Sequence, residues 1–311
     1  MATVFIDGAA CTTGLRIRQR LAGRSDLTLI EVDEEKRKNP AARADALNRA
    51  DCAILCLPDA AAEEAVGMID PTNDRTVVID TSTAYRTAPG WVYGFPELTG
   101  QREKILRSKR IANPGCHASG FIALIAPLRE AGILAEDAAL SAFSLTGYSG
   151  GGKKMIAEYE GPDPSPLLAA PRMYGLGQNH KHLPEMAAVA GLTVPPVFCP
   201  IVAPYYAGME VTVPLSASSV NGTPDEIAEV YRSYYGRTPG AVRFSEAADE
   251  NGFLSACSFA GRDDMEIAVF GNADRILLTA RFDNLGKGAS GAAVQNLNLL
   301  LGADEFEGLE L

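Results

Sequence analysis

Over residues 1–115, short runs that are apolar throughout alternate with helix-forming stretches, and few folds accept that pattern. Residues 3–6, 27–32, 52–57 (stopped by Pro58), 76–79 and 110–112 read as strands. Residues 15–21, closed by Gly23, and the alanine-rich 60–68 read as helices between them. Strands without a polar face need cover on both sides, which predicts a parallel sheet flanked by helices. Past residue 115 the rhythm changes. Residues 118–130 read as a helix, whereas 139–146, 194–202, 209–215, 266–270 and 276–282 read as strands with fewer helices between them. That is the pattern of a mixed or antiparallel α+β domain. Residues 288–301 form a final helix rich in glycine and alanine.

Charge narrows the partners. The net charge is −11, so the chain has no overall field to hold nucleic acid or an anionic membrane. No apolar run approaches the roughly 20 residues of a membrane helix. The N-terminus enters a strand directly, with no secretory leader expected. Six cysteines (Cys11, Cys52, Cys56, Cys116, Cys199 and Cys257) include no CxxC pair, which predicts reduced thiols in a cytoplasmic protein. A small-molecule substrate is expected.

The loop Gly8-Ala-Ala-Cys11-Thr12-Thr13-Gly14 follows a strand and opens a helix. Small residues there let the backbone approach a pyrophosphate, and a helix N-terminus supplies N–H groups. The middle glycine of the usual fingerprint is Cys11, and a plain tight turn is the alternative. Asp33 ends the second strand where an acid would take a ribose hydroxyl. Lys36, Arg37 and Lys38 follow and suit a 2′-phosphate, or form a solvated loop.

The most informative stretch is Asn113-Pro-Gly-Cys116-His117. Pro114 and Gly115 turn the chain so that Cys116 opens a helix. A thiolate there faces the positive end of the dipole, and the same N–H groups can hold an oxyanion. Such a nucleophile needs a proton-transfer partner. Only His117, His180 and His182 are available, two of them in Asn179-His-Lys-His-Leu-Pro-Glu185. His-x-His near a glutamate also suggests zinc, but no further ligand is evident, and no metal is expected.

These segments, with Asp80-Thr-Ser82-Thr-Ala-Tyr-Arg86, Gly94-Phe-Pro-Glu97, Gly147-Tyr-Ser149-Gly150-Gly151 and Asn284-Leu-Gly-Lys-Gly-Ala-Ser-Gly291, resemble the shorter N-acetyl-γ-glutamyl-phosphate reductases, within the aspartate-semialdehyde dehydrogenase-like group. The resemblance runs almost the whole length. It implies an α/β fold: a Rossmann-type NADP-binding domain (1–115 plus 286–311) with an inserted α+β catalytic and dimerisation domain (116–285). It implies NADPH-dependent reduction of an acyl phosphate through a thioester on Cys116, with His180 or His182 as acid and base. Arg86, Asn113 and Glu185 would contact substrate or phosphate. Gly8, Cys11, Thr12, Thr13, Gly14, Arg37, Ser82, Ser149, Gly150, Gly151 and Asn296 would line the cofactor. A homodimer or homotetramer is implied. Aspartate-semialdehyde dehydrogenase activity and a non-catalytic NADP-sensing role are the rival readings.

Overall fold

The computed structural model describes residues 1–237 and 240–311, in two compact units. The first comprises Met1–Pro96, Gly100–Pro114 and Ala289–Leu309; the second comprises Glu97–Thr99, Gly115–Gly288 and Glu310–Leu311.

The first unit begins β1 (Ala2–Asp7), α1 (Thr12–Leu21), β2 (Leu27–Ile30), α2 (Pro40–Arg49), β3 (Cys52–Leu55), α3 (Asp59–Gly67), β4 (Val77–Asp80), β5 (Val92–Tyr93), α4 (Gln101–Arg107) and β6 (Arg110–Ala112). The second holds α5 (Cys116–Glu130), β7 (Ser141–Gly147), α6 (Gly152–Glu160), β8 (Arg172–Met173), α7 (Leu183–Ala190), β9 (Val197–Ala203), β10 (Met209–Ser216), α8 (Pro224–Gly236), β11 (Val242–Phe244), β12 (Met265–Gly271) and β13 (Arg275–Phe282). The last helix, α9 (Gly291–Leu301), belongs to the first unit again.

The first sheet runs β2-β1-β3-β4-β6-β5, every pair parallel. Alternate side chains feed two cores. Val4 and Ile6 pack with Ile17 and Leu21 of α1 and with Val294 and Leu297 of α9. Phe5, between them, packs on the other face with Ala46 and Leu47 of α2 and Ala62 and Ala65 of α3. Both faces are covered, as the apolar strands require. Helix α1 starts three residues before the predicted 15, because Cys11 caps it: Cys11 Sγ accepts from Gly14 N at 3.3 Å. In this unit α2 and α4 lie outside the predicted helices, although Asn39 caps α2 and Pro40 opens it.

The second sheet is mixed, in the order β11-β12-β13-β10-β7-β9-β8. Helix α5 lies on β10 and β13 at Gly120, where a Cβ would come within 2.6 Å of Val211. Pro127 removes the N–H that Ala123 O would receive in an unbroken helix. Tyr235 of α8 donates its hydroxyl to that carbonyl at 2.7 Å, and Tyr231 donates to Leu124 O at 2.6 Å. The opposite face of this sheet carries exposed Phe143 beside half-buried Cys199, and exposed Leu277 beside Pro214 and Phe270. Cys257 is exposed. Among the described residues no helix is long and apolar enough to cross a membrane.

Candidate active site

Strand β6 ends at Ala112, and Asn113, Pro114 and Gly115 lead into Cys116, the first residue of α5. The first helical hydrogen bond is Ser119 N to Gly115 O at 2.8 Å, so the N–H groups of Cys116, His117 and Ala118 lie ahead of the helical ladder. Two contacts hold this turn. Glu185 Oε2 accepts from Gly115 N at 3.2 Å. Gly288 lies so close that a Cβ there would sit 2.9 Å from Cys116 Cβ. Gly288 belongs to a single π-helical turn, Gly286–Ser290, a form concentrated at functional sites. Beside it, Lys287 Nζ meets Glu97 Oε1 at 2.7 Å, both side chains buried, and Glu97 Oε1 also accepts from Ala241 N. Charge pairing and backbone bonding together offset the cost of burying these two groups.

The three histidines cluster. His117 lies 5.7 Å from the His180 ring and 5.6 Å from the His182 ring, centroid to centroid. Their environments separate their roles. His117 is buried, with Nδ1 on Ser144 Oγ and Nε2 on Tyr174 Oη, both at 2.7 Å. Burial, then the neighbouring His180 and Lys181, push its pKa down to about 3, so it stays neutral and its nitrogens are occupied. His182 is buried, 3.9 Å from Glu185 Oε1. His180 is half-buried, and its Nδ1 accepts from His182 N at 3.2 Å. That bond fixes the neutral tautomer with the proton on Nε2. Tyr174, whose hydroxyl burial and Cys116 push upward in pKa, is a site residue that sequence reasoning missed. Nothing in its sequence context marks it among ten tyrosines. Lys287 was missed too, although it stands in one of the quoted motifs. Among the described residues no group of three or more His, Cys, Asp and Glu is placed to hold a metal ion.

Glu185, expected to contact substrate or phosphate, is 1% exposed, accepts from Gly115 N and approaches His182, so it supports the turn that leads into Cys116. Ser149, expected at the cofactor, is buried, and its hydroxyl accepts from Asn284 Nδ2 at 2.9 Å. Gly150 and Gly151 are exposed in the short turn Tyr148–Gly151.

In the first unit, Arg86 is held by backbone carbonyls: Nε donates to Asn113 O and a terminal nitrogen to Thr81 O, both at 3.1 Å. Asn113 donates Nδ2 to Ala289 O, and its buried Oδ1 has no hydrogen-bond partner. Asp80, fully buried below them, accepts from Ser82 Oγ at 2.6 Å. Ser82, expected at the cofactor, gives its hydroxyl proton to this carboxylate. Burial raises Asp80 from an ordinary 3.8 to about 6. A raised carboxyl contributes stability that is present below 3.8 and lost as pH rises through about 6. Asp80→Asn should therefore gain on the parent between pH 4 and 7, by about 3 kcal/mol at most. Urea melts across that range check it; parallel pH profiles for the two proteins would contradict it.

The loop after β1 has the cradle a dinucleotide needs. Gly8 has φ +85°, and a Cβ on it would sit 2.2 Å from Cys56 O; a Cβ on Gly14 would sit 2.6 Å from Gly8 O. Only glycine lets the loop fold this tightly onto β3 and α1. Thr12 Oγ1, beside half-buried Thr13 at the start of α1, is buried without a partner. Asn296 donates Nδ2 to Gly94 O and Ala292 O, leaving its buried Oδ1 unpartnered. Such orphaned acceptors and donors fit a polar ligand. Lys36 pairs with Asp33 at 3.2 Å, and Lys36, Arg37 and Lys38 are all exposed.

The semialdehyde dehydrogenase dimerisation domain matches residues 116–284, and the semialdehyde dehydrogenase NAD binding domain matches residues 18–107. N-acetyl-gamma-glutamyl-phosphate reductases of Brucella suis and Brucella anthropi are each 47% identical over 307 residues, covering 96% of this chain and 98% of theirs. The chain belongs to the N-acetyl-gamma-glutamyl-phosphate reductase family. The fold of these reductases is shared more widely. Aspartate semialdehyde dehydrogenase II of Vibrio cholerae superposes with a TM-score of 0.71 at 17% identity, over 97% of this chain and 98% of that one. The Francisella tularensis aspartate semialdehyde dehydrogenase does so at 0.71 and 14%, over 97% and 100%. At that identity the likeness concerns the fold alone. It matches a parallel Rossmann-type sheet in one unit and a mixed sheet in the other.

Proposed function

We propose that the chain reduces N-acetyl-L-glutamyl 5-phosphate to N-acetyl-L-glutamate 5-semialdehyde with NADPH, releasing phosphate, as a step of arginine biosynthesis. The observation that carries this is Cys116 as the first residue of α5, with its turn held by Glu185 and Gly288. The thiolate attacks the acyl carbon, the carbon–oxygen bond to phosphate breaks, and a thioester remains. The N–H groups opening α5 stabilise the oxygen that gains charge. Arg86, fixed by two carbonyls, and the amide of Asn113 bind the phosphate. NADPH, when bound, supplies the two electrons and the hydrogen that reduce the thioester. Gly8, Cys11, Gly14, Thr12 and Asn296 would hold it, and Arg37 with its neighbouring lysines would favour the 2′-phosphate. His180 takes up a proton to become the imidazolium, gives it to the departing sulfur or oxygen, and returns to the neutral ring that accepts from His182 N. Reduced thiols suit a cytoplasmic location.

A phosphate-dependent reverse assay tests this reading. N-acetylglutamate semialdehyde, NADP and phosphate should yield NADPH; no reaction, or a faster one with aspartate semialdehyde, would refute it. NAD should serve less well, and removing the charges at Lys36, Arg37 and Lys38 should raise KM for NADP only.

The exposed apolar sheet face of the second unit supports a dimer, the assembly its matched domain is named for. Phe143→Lys with Leu277→Glu should then convert a dimer or tetramer to smaller particles in sedimentation. A parent that sediments as a monomer would end this reading.

A further inference from the structure

Cys11 occupies the position where dinucleotide loops usually have their middle glycine, and a second thiol lies beside it. Cys11 is part-exposed at the N-cap of α1, with its sulfur on Gly14 N at 3.3 Å. Cys56 follows β3 and is 6% exposed. The loop presses on it: a Cβ on Gly8 would lie 2.2 Å from Cys56 O. Cys11 packs on the apolar cluster that contains Cys56, and the Cys56 thiol hydrogen-bonds the Cys11 side chain. The outer sulfur thus has a helix N-terminus, a donor N–H and access to solvent. The inner one is shielded, and its hydrogen bond with Cys11, then burial, push its thiol well above the ordinary range. An accessible thiol at a helix start beside a second thiol is the arrangement of redox-sensing pairs.

We propose that Cys11 and Cys56 form a peroxide-responsive disulfide that weakens dinucleotide binding, an inference that rests on the reading of this loop as the NADP site. The Cys11 thiolate attacks a peroxide oxygen; a sulfur–oxygen bond forms, the oxygen–oxygen bond breaks, and hydroxide leaves and takes a proton from solvent to become water. Cys56 then attacks the sulfenic sulfur, the sulfur–sulfur bond forms and a second water leaves. The two sulfurs lose two electrons to the peroxide, and a dithiol reductant reverses the change. Drawing Cys11 Sγ toward Cys56 takes the cap from Gly14 N and reshapes the turn that meets the pyrophosphate.

The test uses the full chain with Cys116→Ser, so that oxidation of the nucleophile plays no part. Hydrogen peroxide should give a mass loss of two hydrogens, mapped to a Cys11–Cys56 peptide. NADP affinity by calorimetry should fall about fivefold, the equivalent of one lost helix cap, and return with dithiothreitol. Cys56→Ser should bind NADP as the reduced parent does and ignore peroxide. Cys11→Ser, which keeps a capping hydroxyl, should also ignore it if the core variant fails to fold. A disulfide that leaves affinity unchanged, or oxidation without this crosslink, overturns the proposal. A reduced parent that never binds NADP refutes the cofactor reading itself, while the peptide map still decides whether the disulfide forms.

Discussion

Cys116→Ser should lose nearly all turnover, on the order of 10³-fold or more, while the fold survives. The expectation follows from position. Cys116 opens α5, ahead of the first ladder bond, where the helix dipole favours a negative sulfur. A serine hydroxyl stays protonated near neutral pH, and an oxygen ester does not replace the thioester. The substitution is nearly isosteric and half-buried, so the melting temperature should move by no more than about 3 °C. Alkylation gives an independent reading. Cys257 is exposed, and Cys11 and Cys199 are half-buried, so labelled peptides must be mapped rather than counted. Iodoacetamide should mark Cys116 faster than a simple thiol at pH 7. Labelling no faster than that, or a serine variant that keeps its turnover, would remove the activated nucleophile from the mechanism.

The elements that the sequence shows best are those whose signal is local. Val4, Phe5 and Ile6 are apolar together because both faces of β1 are covered, and a run of that kind needs no knowledge of its neighbours. Pro114-Gly115-Cys116 marks a strand-to-helix turn by backbone chemistry alone. Helix α2 was legible in retrospect, since Asn39-Pro40 is a cap followed by a favoured first residue. Helix α7 hides behind a polar loop and starts with Leu183 and Pro184. What composition cannot show is which polar side chain is turned inward. Ser149 and Ser82 stand in glycine- and threonine-rich loops that look ligand-facing, yet their hydroxyls are committed to Asn284 and Asp80. Glu185 sits beside two histidines in the chain, but its partner Gly115 is 70 residues away. His117 adjoins Cys116 in sequence, and the helix turns it to Ser144 and Tyr174. Each of these is a tertiary hydrogen bond, and a linear pattern carries no trace of it.

His180→Asn should cut turnover by two to four orders of magnitude, the range for a lost general acid–base. The choice among the three histidines rests on their ring nitrogens. His117 has both occupied and a pKa near 3, so it cannot cycle a proton near neutrality. His182 is buried beside Glu185, which in turn holds Gly115 N. Its loss should loosen the turn that aims Cys116. His180 is half-buried, and its Nδ1 takes the His182 N–H, so the ring is oriented by one nitrogen while it cycles a proton. The two variants should therefore fail differently. His180→Asn should lower kcat and flatten its pH profile near neutrality, with NADP affinity kept. His182→Asn should also keep its NADP affinity, but should retain the pH profile, slow alkylation of Cys116 and raise KM. Single-turnover kinetics separate the two, because acyl transfer reports the aim of Cys116 and aldehyde release reports the proton. If the His182 variant loses the pH dependence while the His180 variant keeps it, the roles are reversed. If neither changes the profile, proton transfer does not pass through this pair, and Tyr174, whose hydroxyl lies on His117 Nε2, becomes the group to test.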